Sequence, residues 1–267
     1  MSRRQPPVTK ESGPPGGSIA GPGFATPASR RVLSEEILVV LSLSLLASAV
    51  FAVINLAEAP VARSVTVRVF APVPLARQIA SIVFGLAPVA LVVHLARRSG
   101  ERLEAFGLAT GTVARDAAWG AILGLVVAGV GLGLYIGAIV LNINRFVVPV
   151  PPLGHWWTVP VLVLGALQNA LLEEVVVVGY LIRRLEQIGW GAATALLGSA
   201  LLRGAYHLYQ GWGGFAGNLL LGLVFGFIFL RWRRTWPLVV AHLLVDTLAG
   251  VAYIVLRGNC YFGVCLT

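Results

Sequence analysis

ALQNALLEEVVVVGYLI, residues 166–182, sets two adjacent acids, Glu173 and Glu174, in the middle of an otherwise apolar run. The run and its flanks are long enough to cross a bilayer, which takes about 20 apolar residues. An acid at the centre of such a helix costs about 2.5–3.5 kcal/mol on insertion scales. Two acids side by side therefore demand partners elsewhere in the chain, and the rest of the sequence supplies them.

The surroundings support a membrane fold. Of 267 residues, 57% are hydrophobic and only 12% charged, about half the charged share of a soluble domain. The net charge of +9 would suggest nucleic acid in a soluble protein. Here the arginines stand at the ends of hydrophobic runs, where the positive-inside rule accounts for them, and nucleic-acid binding is disfavoured. The two cysteines, Cys260 and Cys265, lie in the C-terminal tail. They make no disulfide framework or thiolate cluster; a single bond between them and two free thiols are equally compatible with the sequence.

Residues 1–31 are rich in Pro, Gly and Ser without apolar periodicity and read as a disordered tail. The first hydrophobic run is too long and too late for a signal peptide. Spans are expected at about 36–57, 78–96, 117–141, 157–182, 192–210, 214–230 and 236–256. The fold expected is an all-α polytopic bundle of about seven spans, with eight as the alternative. It divides into N-terminal helices (32–154), a core (155–256) and a short tail (257–267). Arg97, Arg98, Arg102, Arg183, Arg184, Arg231, Arg233 and Arg234 mark one side as the inner one. A multi-pass cell-membrane protein with a cytoplasmic N-terminus and an outer C-terminus follows. NRFVVPVPPLGHWW (144–157) is a proline-broken loop whose tryptophans suit the headgroup level.

The other ionisable residues inside spans are Arg203 and His207, in LLRGAYHLYQG, and His242 and Asp246, in VVAHLLVDTL. Each pair is four residues apart and shares one helix face; Asn169 likewise sits four before Glu173. Polar stripes on helices in lipid turn inward, so the three helices are expected to converge on the glutamates. A lone His207 would ordinarily be a hydrogen-bonded core histidine, and Asp246 alone a residue orienting His242. Two acids, two histidines, an aspartate and an arginine together exceed what packing requires. His-Glu-x-x-His and Gly-x-Ser-x-Gly are both absent. The groups present are carboxylate and imidazole, which suit an activated water: a glutamate as general base, a histidine sharing the water, and donors for an oxyanion.

Glu173-Glu174 followed by Gly179, then His207, then HLLVD (242–246) resemble the CAAX-protease and bacteriocin-processing (CPBP, or Abi) family of intramembrane glutamate proteases, over residues 155–256. The resemblance implies that Glu173 activates water with His207, that Glu174 supports it, and that His242 stabilises the oxyanion with help from position 246. It implies no cofactor, with a divalent metal such as zinc as the alternative. The partners implied are membrane lipids and a membrane-associated peptide or protein substrate, lipidated or not. Three positions depart from the family pattern. Val178 stands where an arginine is usual, Arg203 where a phenylalanine is, and Asp246 where an asparagine is. The first two read as one event, in which Arg203 supplies the missing cation to Glu173 or Glu174. An ionised Asp246 cannot donate to an oxyanion and would orient His242 or bind a cation. Competing readings are a proton- or ion-coupled transporter, a non-catalytic immunity or partner protein, and a zinc or copper carrier. Asn218, Gly222 and Gly226, four apart, suggest a close-packing face, with Asn218 as a further donor to the site.

Overall fold

In the computed structural model, the described residues are 27–58, 75–141, 143–144, 151, 153–261 and 264–265. The stretch 1–26, most of the first loop and half of the proline-broken loop lie outside them. The helices are α1 (Pro27–Ser42), α2 (Leu45–Glu58), α3 (Leu75–Gly85), α4 (Ala87–Arg98), α5 (Val113–Val140), α6 (Thr158–Leu171), α7 (Leu181–Gln187), α8 (Ala192–Tyr206), α9 (Trp212–Trp232) and α10 (Trp236–Leu256). A π-helical segment, Leu172–Tyr180, joins α6 to α7. A two-residue hairpin, β1 (Cys260–Tyr261) with β2 (Val264–Cys265), sets Cys260 opposite Cys265; the side chains of these two residues are not among those described. The chain is a multi-pass membrane helix bundle.

Helix α1 starts at Pro27, inside the stretch that composition marks as tail. Proline is favoured at a first helical position because its missing N–H would have no partner there anyway.

Among the described residues, five helices are long and apolar enough to cross: Leu75–Arg98, Val113–Val140, Thr158–Gln187, Trp212–Trp232 and Trp236–Leu256. A sixth crossing is available if the α1–α2 pair, bent by 61°, counts as one span. The stretch expected as the fifth of seven spans does not qualify. Helix α8 has 15 residues, about 22 Å of rise against a hydrocarbon core of about 30 Å. It stops because its chain turns back. His207 Nδ1 takes the Arg203 carbonyl at 3.0 Å, satisfying one of the orphan carbonyls of the helix end. A one-turn 3₁₀ segment, Leu208–Gln210, and Gly211 at φ +98° then lead into α9.

Helices α8 and α9 pack as a tight hairpin. A Cβ at Gly222 would fall 2.9 Å from Ala200 Cα, and Gly226 faces Leu196. The small-residue stripe is therefore an internal packing face. Asn218 Nδ2 donates to Gly214 O at 3.0 Å within α9, so its amide serves its own helix and not the glutamates. On the other side, Gly120 and Gly124 of α5 lie against Pro237, Val240 and Ala241 of α10. Exposed Trp212 and Trp232 stand at the two ends of α9, separated by about 30 Å of helix rise, the span between two interfacial aromatic belts. Trp119 meets Trp232 at 5.9 Å between ring centroids.

The arginine-rich end is knitted together by ions, and several of the arginines are not free flanking charges. Arg184 is fully buried. Its Nε donates to Glu36 of α1 at 2.9 Å, and Nη1 donates to Gln187 at 2.7 Å and pairs with Glu101. Tyr180 OH donates to the same Glu36 oxygen at 2.9 Å. Glu36 lies in the interior of α1, where it answers Arg184. Arg234 pairs with Asp116, and Arg233 grips Glu186 with two bonds of 2.6 and 2.7 Å. Glu36 thus fixes α1 at the Gln187 end of the bundle, and α10 runs from that end to the opposite one.

Candidate active site

Glu173 and Glu174 sit midway along the 30-residue Thr158–Gln187 helix, inside its π-helical part. A π-helix has more residues per turn than an α-helix, so adjacent side chains diverge less, and both acids turn to the interior. Glu173 is 7% exposed and Glu174 0%. Ser199 of α8 donates to the Val177 carbonyl at 2.7 Å, fastening the π segment to α8 one turn before Arg203.

Arg203 lies between the acids. Its Nη1 donates to Glu174 Oε1 at 2.7 Å, and Nη2 lies 3.2 Å from Glu173 Oε2. His242 Nδ1 comes to Glu174 Oε1 at 2.7 Å and to Arg203 Nη2 at 3.3 Å. A carboxylate can only accept, so the Nδ1 proton belongs to the Glu174 bond and the Arg203 contact is one of proximity. On the far edge of the ring, Nε2 stands 3.4 Å from Asp246 Oδ2, one turn along α10. Tyr206 OH donates to Glu173 Oε2 at 2.9 Å. The structure thus brings Glu173, Glu174, Arg203 and His242 into direct contact, with Asp246 joined through His242.

His207 is placed differently. It closes the end of α8 with Nδ1 on the Arg203 carbonyl, which leaves Nε2 without a hydrogen bond among the described residues. Its ring lies 4.7 Å from that of Tyr206, and Glu173, Arg203 and His242 are near enough to act on it electrostatically.

Counting depth from a common membrane boundary sets His242 well short of the glutamates, yet the two meet. The reason is the α9–α10 turn, which is drawn up into the bundle. Thr235 N donates to Gly107 O at 2.9 Å and Thr235 Oγ1 to Phe106 O at 2.8 Å. This nook abuts Gly179, where an added Cβ would lie 2.7 Å from Phe106 O and 3.0 Å from Thr235 Oγ1. Helix α10 therefore starts roughly 10 Å above Gln187, and His242 arrives level with Glu174. Gly179→Ala should cost about 1–3 kcal/mol, the usual penalty of overpacking, read as a lowered unfolding temperature. An unchanged melt would show that the nook is loose.

Glu173, Glu174 and His242 each offer an atom within 4.8 Å of the others, a separation that a single bridging water or a cation could fill. The donor types suit a divalent metal. Against it, the Arg203 guanidinium already lies on Glu174 Oε1 and Glu173 Oε2, where it would repel a second cation.

Two contributors were not singled out from sequence. Tyr206 lies three residues after Arg203, and Ser199 four before it; both spacings put them on the polar face of α8. The signal was present, but serine and tyrosine are common enough in membrane helices that spacing alone does not select them.

Residues 155–248 match the Rce1-like family. Its model is described as Type II CAAX prenyl endopeptidase Rce1-like, and the match agrees with the CPBP resemblance. The Rce1-like region contains the whole cluster, from Glu173 on the π segment to Asp246 on α10. No curated protein and no solved structure matches the chain.

Proposed function

We propose that this protein is an intramembrane endopeptidase of the CAAX-protease type, hydrolysing a peptide bond by water activated at Glu173. The observation that carries the reading is the meeting of Glu173, Glu174, Arg203 and His242, from three separate helices, midway along the Thr158–Gln187 helix and inside the Rce1-like region. Glu173 takes a proton from a water whose oxygen bonds to the scissile carbonyl carbon. His207, through Nε2, shares that water. His242, whose Nδ1 is held by Glu174, meets the oxygen that becomes negative once its Nε2–H turns to it from Asp246 Oδ2, which stands 3.4 Å away and orients the ring beforehand. The proton held by Glu173 then passes to the leaving nitrogen as the C–N bond breaks. Arg203 and Glu174 form the charge-balanced platform under these groups. The substrate class is a membrane-associated peptide or protein tail, with a prenylated C-terminus as the first to try. The arginine-rich end of the bundle faces the cytoplasm, by the positive-inside rule.

The test is cleavage of prenylated and unprenylated membrane peptides by the purified protein in liposomes, with proton flux recorded on the same vesicles. Cleavage without flux supports the protease. Flux without cleavage would replace it with a coupled transporter. Because Arg203 holds the carboxylates, cleavage should survive dialysis against a chelator with less than about a twofold loss. A loss restored by added zinc would instead assign Glu173, Glu174 and His242 to a metal.

A further inference from the structure

The Glu173 carboxylate is not held symmetrically. Tyr206 OH donates to Oε2 at 2.9 Å, and Arg203 Nη2 faces the same atom at 3.2 Å. Neither contact uses Oε1. The tyrosine is itself fixed: it is 4% exposed and packs against Leu45 and Ala49 of α2 and Val177 of the π segment. Glu174 is held in the opposite sense. Its Oε1 takes both Arg203 and His242, while Oε2 is enclosed and has no hydrogen-bond partner among the described residues. Of the two adjacent acids, only Glu173 combines some exposure with an oxygen outside these contacts.

We infer that Tyr206 is a positioning residue which, on the protease reading above, determines that Oε1 of Glu173 is the oxygen that receives the proton of the attacking water. An oxygen that accepts a phenol O–H and faces a guanidinium has its lone pairs engaged and is the weaker base of the two. A half-turn of the carboxylate would exchange the oxygens. Tyr206 and Arg203, one turn apart on α8, hold it against that turn. In the step itself a water O–H bond breaks, its proton bonds to Oε1, and the water oxygen bonds to the carbonyl carbon. The phenol keeps its own proton throughout. Tyr206 touches neither water nor substrate.

The experiment uses the full chain in liposomes, with its glutamates isotope-labelled at the side-chain carboxyl. Infrared difference spectra against Glu173→Gln isolate the Glu173 band, and Tyr206→Phe is expected to shift it. A band that stays in place overturns the inference whatever the protein cleaves. In the cleavage assay Tyr206→Phe is expected to lower kcat about ten- to hundredfold, the worth of one hydrogen bond to a charged group. KM should stay within about twofold and the protein should still insert and fold, because the phenyl ring still fills its place between α2 and the π segment. A kcat within about twofold of an active parent overturns the inference as well. A parent that cleaves nothing, with the band shift present, removes the protease reading but supports the assignment of the oxygens.

Discussion

Glu173→Gln is expected to lower the cleavage rate by about 10²–10⁴-fold, the range a positioned general base supplies, while the protein still inserts and folds. Glutamine keeps the shape of the side chain and can still accept the Tyr206 hydroxyl. What it lacks is an oxygen able to take a proton. The neighbouring substitution should behave differently. Glu174 is wholly enclosed and receives both Arg203 and His242, so Glu174→Gln removes the charge that balances them and should be felt first in stability. The measurement is a paired one, with initial rates on a membrane peptide and thermal unfolding for both variants. If Glu174→Gln were the inactive but stable protein and Glu173→Gln retained more than a tenth of the rate, the roles assigned here would have to be exchanged.

Arg203→Met should be the most destabilising single change in the core of the site. It removes the cation that lies on both carboxylates and leaves two buried acids beside each other. Breaking a buried pair in this way costs about 3–5 kcal/mol. The control that separates charge from packing is Arg203→Met combined with Glu174→Gln. With one acid neutralised, the double variant should be more stable than Arg203→Met alone, giving a coupling of the size expected for groups in contact. Equal unfolding temperatures for the single and double variants would mean that Arg203 acts by packing, including its stacking over Phe225 at 5.5 Å. A second variant asks whether position matters: Val178→Arg with Arg203→Phe returns the cation to the place the CPBP pattern gives it. A folded, active exchange variant would support the reading of the two departures as one event. An inactive or unfolded one would remove that support.

Several features of the site were legible because they depend on periodicity alone. The apolar runs locate the long helices, and the four-residue spacings in Arg203–His207 and His242–Asp246 put polar groups on inward faces that lipid forces together. Other features depend on tertiary contacts that no local pattern encodes. The length of α8 is set by the capping of Arg203 O by His207 and by the turn at Gly211; hydropathy continues past both. The level at which His242 meets Glu174 is set by Thr235 bonding to Phe106 and Gly107, residues more than a hundred positions earlier. Widening of the helix to π geometry over Leu172–Tyr180 follows no residue pattern that marks it in advance. The burial of Arg184 is hidden for a related reason: an arginine closing a hydrophobic run usually faces headgroups, and its burial shows only once Glu36 and Glu101 come to it.

The Arg184 junction bears on how much of the chain the cluster needs around it. Residues 155–248 hold every group assigned to the chemistry, but they are not a detachable module. Cut away from α1, the Glu101 loop and α5, that fragment would present a guanidinium stripped of both its acids, an unanswered Tyr180 hydroxyl and a bare α10 flank to the lipid. The amino-terminal half therefore serves as the counterpart that renders the remainder compatible with a bilayer.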